Sequence, residues 1–395
     1  MPYSNRIRSL QEKISEQGLA GAILFYSRDV YYYSGTAQPA YLVVLPDDYR
    51  LFVRRGYEIA LMESGYERER IVKGASLEAV AQQMFPGQGQ GAKVGTEIDV
   101  LTVLQARSMN QALGMRELVD ISGEILEQRT VKDAQELESI KRACSAVHAG
   151  HIAAISCLRA GMSEIELAAA VENAQRLAGH EGCFFMRTSD FVMSRGPLAS
   201  GFNLRHTSGT LFTLSGTGLS PAIPTGASRR TIKAGDMVMV DIPVCIEGYH
   251  ADQSRTYAVG HAQQRALDLF QRLRSVADCL IGNLRPGMTC AEAFALAMDE
   301  AKVSGIEDSF MNFDSGAKAY FVGHGIGLEL NEPPLLARNS RAVLKAGMVL
   351  AIEMHLMEPE GLTLKLEDTV FITPNEVEIL TSSPRELIVV VPHHI

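Results

Sequence analysis

The fold of this chain is decided by the stretch from Lys233 to Thr256, which reads KAGDMVMVDIPVCIEGYHADQSRT. An apolar, β-branched run followed by the turn dipeptide Glu247-Gly248 predicts a β-hairpin. Asp241 falls in the first strand and Asp252 on the returning strand, opposite or diagonal to it depending on the centre of the turn. Because side chains alternate along a strand, the two carboxylates are predicted to share one face.

The same pattern occurs a second time, beginning at Lys345, as KAGMVLAIEMHLMEPEGLTLKLED. Lys345 aligns with Lys233 and Glu353 with Asp241, each pair 112 residues apart, and the second return strand carries Glu367. Each predicted hairpin therefore supplies two carboxylates from strands that are otherwise expected to be buried. A single site built from four carboxylates is the simplest explanation of both.

A fifth group joins these acids, the histidine of GHGIG, His324, which two flanking glycines expose by allowing a tight turn. Buried carboxylates repel each other and lose hydration, so they require a cation or a shared proton between them. One imidazole with four carboxylates suits a pair of divalent cations better than a structural zinc site. If an internal lysine or arginine compensated the acids instead, the argument for metal ions would fall, and with it the water activation that such ions provide.

Composition sets the limits of the function. The 395 residues are 46% apolar and 21% charged, with a formal charge of -9, which argues against nucleic acid or an acidic membrane surface as a partner. The N-terminal residues lack the apolar core of a signal peptide, and no apolar run approaches membrane-spanning length. The expected location is the cytoplasm.

The chain divides into two predicted domains. Strand and helix patterns alternate in residues 1–127, which indicates an α/β layer domain, and a long helical pattern opens the second domain, residues 128–395. Two similar helix starts, at Gly161 and Gly287, precede the two carboxylate hairpins and give this domain an internal repeat. The first half is about fourteen residues longer (74 against 60 between matched glycines), and the Gly-rich stretch between Cys183 and Arg230 is the expected substrate loop.

The motifs VDIPVCIEGYHADQSRT, GHGIGLELNEPP, LAIE and LKLEDT together resemble the pita-bread metallopeptidase family, which includes methionine aminopeptidase, aminopeptidase P, prolidase and creatinase. The resemblance covers the whole chain. It implies an α/β, creatinase-like N-terminal domain and an α+β pita-bread C-terminal domain with a pseudo-twofold internal repeat. It also implies a homodimer in which one N-terminal domain shapes the partner's cleft.

The resemblance implies a role for each of the five candidate ligands. Asp241 would hold one metal ion, Asp252 and Glu367 would bridge both ions, and His324 and Glu353 would hold the second. Such sites typically contain manganese, cobalt, zinc or iron. Glu353 would also serve as general base while the two cations activate a bridging water.

Three positions depart from the pattern of the family's peptidases. Asn331 stands where they usually carry a substrate-binding histidine, Thr225 lies in the segment that holds another, and Lys365 replaces the arginine of many proline-specific members. These residues keep hydrogen-bonding capacity but lose imidazole chemistry and the bidentate guanidinium fork. His355, two residues after Glu353 and so predicted on the same strand face, is a candidate for the missing catalytic imidazole, and a structural histidine is the favoured alternative.

The leading functional hypothesis is a dinuclear-metal hydrolase that cleaves short peptides near their N-terminus, in the manner of an Xaa-Pro aminopeptidase or dipeptidase. The first alternative is a pita-bread hydrolase or lyase acting on a small non-peptide amide or metabolite, as creatinase does. The second is a catalytically silent binding protein on the same fold. Metal content separates the enzymes from the silent protein, and a substrate panel separates the two enzymes.

Overall fold

A computed structural model describes residues 2–74, 76–86, 91–188, 191, 193, 195–209, 211, 213–359 and 361–391. The chain forms two compact units. The first contains Met1–Arg129 together with Arg187–Ser189, and the second contains Thr130–Met186 and Asp190–Ile395. The sequence pattern did not predict that a short segment near residue 187 belongs to the first unit.

The first unit is a six-stranded mixed sheet with helices packed against it, in the strand order β4-β3-β2-β1-β5-β6. Strands β1, β5 and β6 run parallel, and β2 is antiparallel to both of its neighbours. Its elements are α1 (Pro2–Glu16), β1 (Gly21–Leu24), α2 (Ser27–Ser34), β2 (Ala40–Val44), β3 (Tyr49–Val53), α3 (Tyr57–Glu63), β4 (Ile71–Lys73), α4 (Leu77–Met84), β5 (Lys93–Thr96), α5 (Val103–Ala112), β6 (Glu117–Asp120) and α6 (Ser122–Thr130).

The segment near residue 187 is held in the first unit by charge. Asp29 is fully buried and receives the guanidinium of Arg129 at 2.7 Å and that of Arg187 at 2.6 Å. Arg187 also contacts Asp99 at 2.5 Å. If Asp29 lost these arginines, its charge would stay buried without compensation, at a cost in free energy. The ion pairs therefore hold the segment in the first unit.

The second unit contains a four-stranded sheet (β17-β11-β8-β7), a five-stranded sheet (β13-β12-β14-β15-β16) and the hairpin β9-β10. Its elements are α7 (Ala134–Cys157), α8 (Glu164–Leu177), β7 (Leu198–Ser200), β8 (Met237–Val240), β9 (Val244–Ile246), β10 (Tyr249–Ala251), β11 (Arg255–Val259), α9 (Gln264–Asn283), α10 (Cys290–Val303), β12 (Phe321–Gly325), β13 (Glu332–Ala337), β14 (Val349–Met357), β15 (Thr363–Ile372), β16 (Val377–Ile379) and β17 (Ile388–Val390).

Each sheet of the second unit is covered by its own pair of helices. Side chains of α7 and α8 pack on β8 and β11 in one core cluster, and side chains of α9 and α10 pack on β14 and β15 in another. The predicted fold class is confirmed in both units: α/β in the first, and α+β with an internal repeat in the second.

Matching hydrogen bonds show the repeat at atomic detail. The Gly161 amide donates to the Ile232 carbonyl at 2.9 Å, and the Gly287 amide donates to the Leu344 carbonyl at the same distance. Helices α8 and α10 both begin with a capping box, formed by Ser163 and by Thr289. The backbone therefore has the same local hydrogen bonds and helix cap ahead of the carboxylate strands in both halves.

The first predicted hairpin is divided into two parts. Strand β8 pairs with β11, whereas β9 pairs with β10 around Glu247 and Gly248, whose φ angles of 52° and 78° fit a two-residue turn. Pro243 lies between β8 and β9, and it cannot donate a ladder hydrogen bond, so pairing stops there. Asp241 thus directly follows β8 instead of lying within a continuous strand.

Within the part of the chain that the structure describes, no helix combines the length and the hydropathy needed to cross a bilayer.

Candidate metal centre

The structure brings the five predicted ligands to one cavity. Asp241 and Asp252 follow β8 and β10, His324 lies in β12, and Glu353 and Glu367 lie in β14 and β15. All five side chains are buried. The cavity has a volume of about 60 Å³, which is room for an ion and a few water molecules, since one water needs roughly 10–15 Å³ by this measure.

Strand pairing fixes the second half of this site. Glu353 and Glu367 are directly opposite each other in the antiparallel pair β14-β15, so both side chains emerge on the same face. His324 pairs with Ala351, two residues before Glu353. The alternation of side chains therefore places the imidazole and both carboxylates together.

The imidazole of His324 is oriented for a cation. Its Nδ1 donates to the Gly325 carbonyl at 2.9 Å, so in the neutral ring Nε2 keeps its lone pair. Burial lowers the pKa of His324, which favours this neutral form. Nε2 lies 3.7 Å from Glu353 Oε1, inside the cavity. A backbone carbonyl that holds the other ring nitrogen is the usual arrangement of a metal-binding histidine.

A lysine lies inside the carboxylate cluster. The ammonium nitrogen of Lys365 is 2.7 Å from Asp241 Oδ2, 2.8 Å from Glu353 Oε2 and 3.1 Å from Glu367 Oε2. It also donates to the Thr213 hydroxyl at 2.8 Å, and its side chain is only 1% exposed. The internal positive charge that the sequence raised as the competitor of a metal is therefore present.

The pKa of Glu353 is lowered, whereas the pKa values of the other three acids are raised, that of Asp241 mainly by burial. Burial raises the pKa of Asp252 and of Glu367 well above the ordinary range, and the neighbouring carboxylates add to the effect. Burial acts to raise the pKa of Glu353, but the charge and hydrogen bond of Lys365, together with the neighbouring imidazoles, outweigh it and lower the pKa. Burial lowers the pKa of Lys365 itself, yet Asp241 and Glu353 raise it well above the usual value, so the ammonium form is retained.

Three of the five predicted ligand residues fit one divalent cation. Asp252, His324 and Glu367 each offer a ligand atom, and these atoms lie within 4.8 Å of one another. Asp252 Oδ1 and Glu367 Oε2 are buried and have no hydrogen-bond partner among the described residues, although Glu367 Oε2 keeps its ionic contact with Lys365. Buried oxygens without donors carry a desolvation cost that a cation would relieve.

The structure separates the three predicted substrate-binding residues. Asn331 lines the cavity of the carboxylates, as expected. Thr225 instead lines a neighbouring cavity of about 510 Å³, and only Met193 among the described residues lines both. Lys365 lines the first cavity, but its ammonium is committed to three carboxylates and a hydroxyl, so the expected direct contact with substrate is replaced by contacts within the site.

The expectation for His355 also needs correction. It is opposite Lys365 on the β14-β15 ladder, on the same strand face as Glu353, but it is absent from the residues that line the cavity. Its Nε2 donates to the Asn312 carbonyl at 2.8 Å, and its ring packs on Phe313. Burial lowers the pKa of His355 to about 4, so the ring is neutral near pH 7. These are the contacts of a structural histidine.

We therefore expect His355→Ala to lower the melting temperature without changing the pH profile of kcat/KM. The loss of the imidazole leaves a cavity and leaves the partly buried Asn312 carbonyl without its donor, and the lost hydrogen bond costs about 1 kcal/mol. Thermal unfolding and a pH series of kcat/KM test this directly. A displaced pH profile at unchanged stability would restore the catalytic role.

One contributor to the site was missed by sequence reasoning. Thr213 lies in the Gly-rich stretch predicted as a substrate loop, and its hydroxyl contacts both Lys365 and Glu353 Oε2, the latter at 3.3 Å. Met186, Met193 and Leu211 of the same stretch line the cavity. Residues 189, 190, 192, 194, 210 and 212 of the stretch lie outside the described residues. A lone threonine carries no pattern that could have selected it.

Comparisons with known proteins agree with this geometry. The family described as metallopeptidase family M24 matches residues 138–374, and the Creatinase/Prolidase N-terminal domain matches residues 6–131. The Xaa-Pro dipeptidase of Pyrococcus furiosus is 28% identical over 387 residues, covering 97% of this chain and 99% of that protein.

Two solved structures match over nearly the full length. The Xaa-Pro dipeptidase from Bacillus anthracis has a TM-score of 0.81 at 27% identity and covers 98% of this chain and 99% of its own. The prolidase from Pyrococcus furiosus has a TM-score of 0.78 at 26% identity and covers 95% and 100% respectively.

A carboxylate and imidazole site on this two-domain fold defines a metal-dependent hydrolase of the peptidase class. The chain belongs to metallopeptidase family M24 and carries that family's creatinase/prolidase type of N-terminal domain.

Proposed function

We propose that this enzyme hydrolyses short peptides next to their N-terminus and that Xaa-Pro dipeptides are its first candidate substrates. The observation that carries the proposal is the buried group of Asp252, His324 and Glu367, whose donor atoms lie together with Glu353 beside them. The full-length similarity to proteins named Xaa-Pro dipeptidase supports the choice of substrate.

Asp252, His324 and Glu367 are the residues that would hold a divalent cation, and when bound such an ion polarises a carbonyl and lowers the pKa of water. Glu353 is the proposed general base. Its lowered pKa keeps it ionised at neutral pH, and the Lys365 ammonium at 2.8 Å holds one of its oxygens in place. Asn331 lines the same cavity, where its amide can donate to a substrate oxygen.

The donor set favours some metals over others. Carboxylates suit manganese, and an imidazole suits zinc and iron, so these three of the four metals that the family resemblance implies (manganese, cobalt, zinc and iron) match the donor types. Soft-metal chemistry requires thiolate or thioether ligands, and none of the three donor residues supplies one.

The substrate proposal is tested with metal-loaded protein and four groups of compounds: Xaa-Pro dipeptides, matched dipeptides without proline, tripeptides and small non-peptide amides. We expect the Xaa-Pro dipeptides to give the highest kcat/KM. Turnover of dipeptides without preference for proline would keep the peptidase and remove the proline specificity. No peptide turnover by protein shown to contain metal would contradict the proposal.

A small non-peptide amide is the second candidate substrate. The cavity at the carboxylates is small, at about 60 Å³, and Asn331 is the residue that stands there in place of the imidazole expected of the family's peptidases. A compact amide needs fewer contacts than a peptide. Hydrolysis restricted to the fourth group of compounds would favour this candidate.

A further inference from the structure

Lys365 is an unusual residue at the centre of a metal site. Its charged side chain is 1% exposed, and removing an ammonium from water is costly unless several partners compensate. The compensation comes from Asp241, Glu353 and Glu367, which contact it at 2.7 to 3.1 Å. Lysine at this place is therefore held by the same carboxylates that the sequence assigned to metal ions.

The ammonium and a metal ion compete for the same space. A divalent transition metal requires carboxylate oxygens at about 2.0–2.2 Å. Asp241 Oδ2 and Glu353 Oε2 both converge on the Lys365 nitrogen instead, and the Thr213 hydroxyl provides a fourth contact at 2.8 Å. An ion held by Asp241 and Glu353 would have to displace this nitrogen from its place among four partners.

The other three donors keep atoms that no hydrogen bond occupies, although Glu367 Oε2 also lies 3.1 Å from the Lys365 nitrogen. Asp252 Oδ1 has no hydrogen-bond partner among the described residues, and the Nδ1 of His324 is used by a backbone carbonyl, which leaves Nε2 for a ligand. Lys365 has no contact within 4.0 Å to Asp252 among those the structure describes; its ionic contacts are with the other three acids. The ammonium therefore compensates Asp241 and Glu353, and it leaves Asp252 Oδ1 and His324 Nε2 as donors for a cation.

We propose that the ammonium of Lys365 takes the place of a second metal ion, so that this centre binds one divalent cation, held by Asp252, His324 and Glu367. Asp241 and Thr213 are then positioning residues, which hold the ammonium against Glu353. The proposal builds on the metal-dependent function only in requiring that an ion binds. It replaces the sequence-based expectation of two ions.

The test is the number of ions bound per chain, measured on chelator-treated, full-length protein titrated with Mn²⁺ by calorimetry and checked by elemental analysis. We expect one ion per chain in the wild type. Lys365→Met removes the charge at similar volume, leaves Asp241 and Glu353 without a counter-charge, and is expected to bind two ions. The melting temperature of metal-free Lys365→Met should fall, and Mn²⁺ should recover more of it than in the wild type.

Two further variants keep the test decisive if Lys365→Met folds poorly. Lys132→Met is the matched control, because Lys132 is equally buried and pairs with Glu332 at 3.4 Å, and this variant should be less stable while still binding one ion. Asp241→Asn should change the Mn²⁺ affinity by less than about tenfold, whereas loss of a true ligand costs more than the 10- to 100-fold of an outer contact.

Two ions per wild-type chain, or loss of an ion in Asp241→Asn, would overturn the inference and leave the proposed hydrolase function intact. If each chain bound one ion but hydrolysed neither peptides nor amides, the inference would be supported and the proposed function would be contradicted. Absence of any bound ion would overturn the inference as well.

Discussion

Glu353→Gln is expected to lower kcat by about 100- to 10,000-fold, the usual contribution of a general base. The amide has nearly the shape of the carboxylate but cannot accept a proton at neutral pH. Because Glu353 contacts Lys365 and is not among the three proposed ligands, the variant should still bind a metal ion. Steady-state kinetics and metal content, measured on the same preparation, test both parts.

A matched control separates chemistry from folding in this experiment. Glu164 is a buried carboxylate of the same unit that accepts hydrogen bonds from Ser200, Asn203 and Ser228, and it is not among the residues lining the cavity. Glu164→Gln should lower stability and leave kcat close to that of the wild type. A Glu353→Gln variant with wild-type kcat would show that another group accepts the proton.

Asp252→Asn is expected to abolish metal binding in the micromolar range and turnover with it. The carboxylate is one of the two in the proposed ligand set, and its Oδ1 has no hydrogen-bond partner among the described residues. The affinity should fall by more than about 100-fold, beyond the loss typical of an outer contact. The rise in melting temperature that a bound ion gives the wild type should disappear in this variant.

The control for Asp252→Asn is a buried aspartate with a different role. Asp368 follows Glu367 directly, but its carboxylate pairs with Arg255 and Arg385, each at 2.6 Å. Asp368→Asn should destabilise the protein, because the buried guanidinium of Arg255 loses its charge compensation, yet retain the ion. Equal loss of metal in both variants would show that Asp252 acts through folding and not as a ligand.

The four acids were predictable because they lie in a hairpin pattern that occurs twice, and the histidine was predictable because it lies in a distinctive glycine motif. The 112-residue offset joins Asp241 to Glu353, and apolar strands with isolated carboxylates allow few other interpretations. The repeat also predicted the paired helix starts at Ser163 and Thr289, which the capping boxes confirm. This part of the fold could therefore be predicted from local sequence patterns and from the internal repeat.

Other features depended on contacts between distant residues. Lys365 alternates correctly with Glu367 to share its face, but the sequence does not show whether its long side chain turns toward the acids or toward substrate. Thr225 lines a second cavity instead. Its position depends on how a long insertion folds back, which the sequence does not show. The division of the first hairpin at Pro243 was readable in principle, since proline interrupts a strand ladder.

The proposed ligands come from both halves of the repeat, Asp252 from the first and His324 and Glu367 from the second. The halves already share backbone hydrogen bonds near this point, such as the one from the Glu367 amide to the Ser254 carbonyl at 3.1 Å. A bound ion would therefore act as a crosslink between the two halves of the repeat. Amide protons of β10 and β15, more than 100 residues apart in the chain, should then gain protection from solvent exchange together when metal is added.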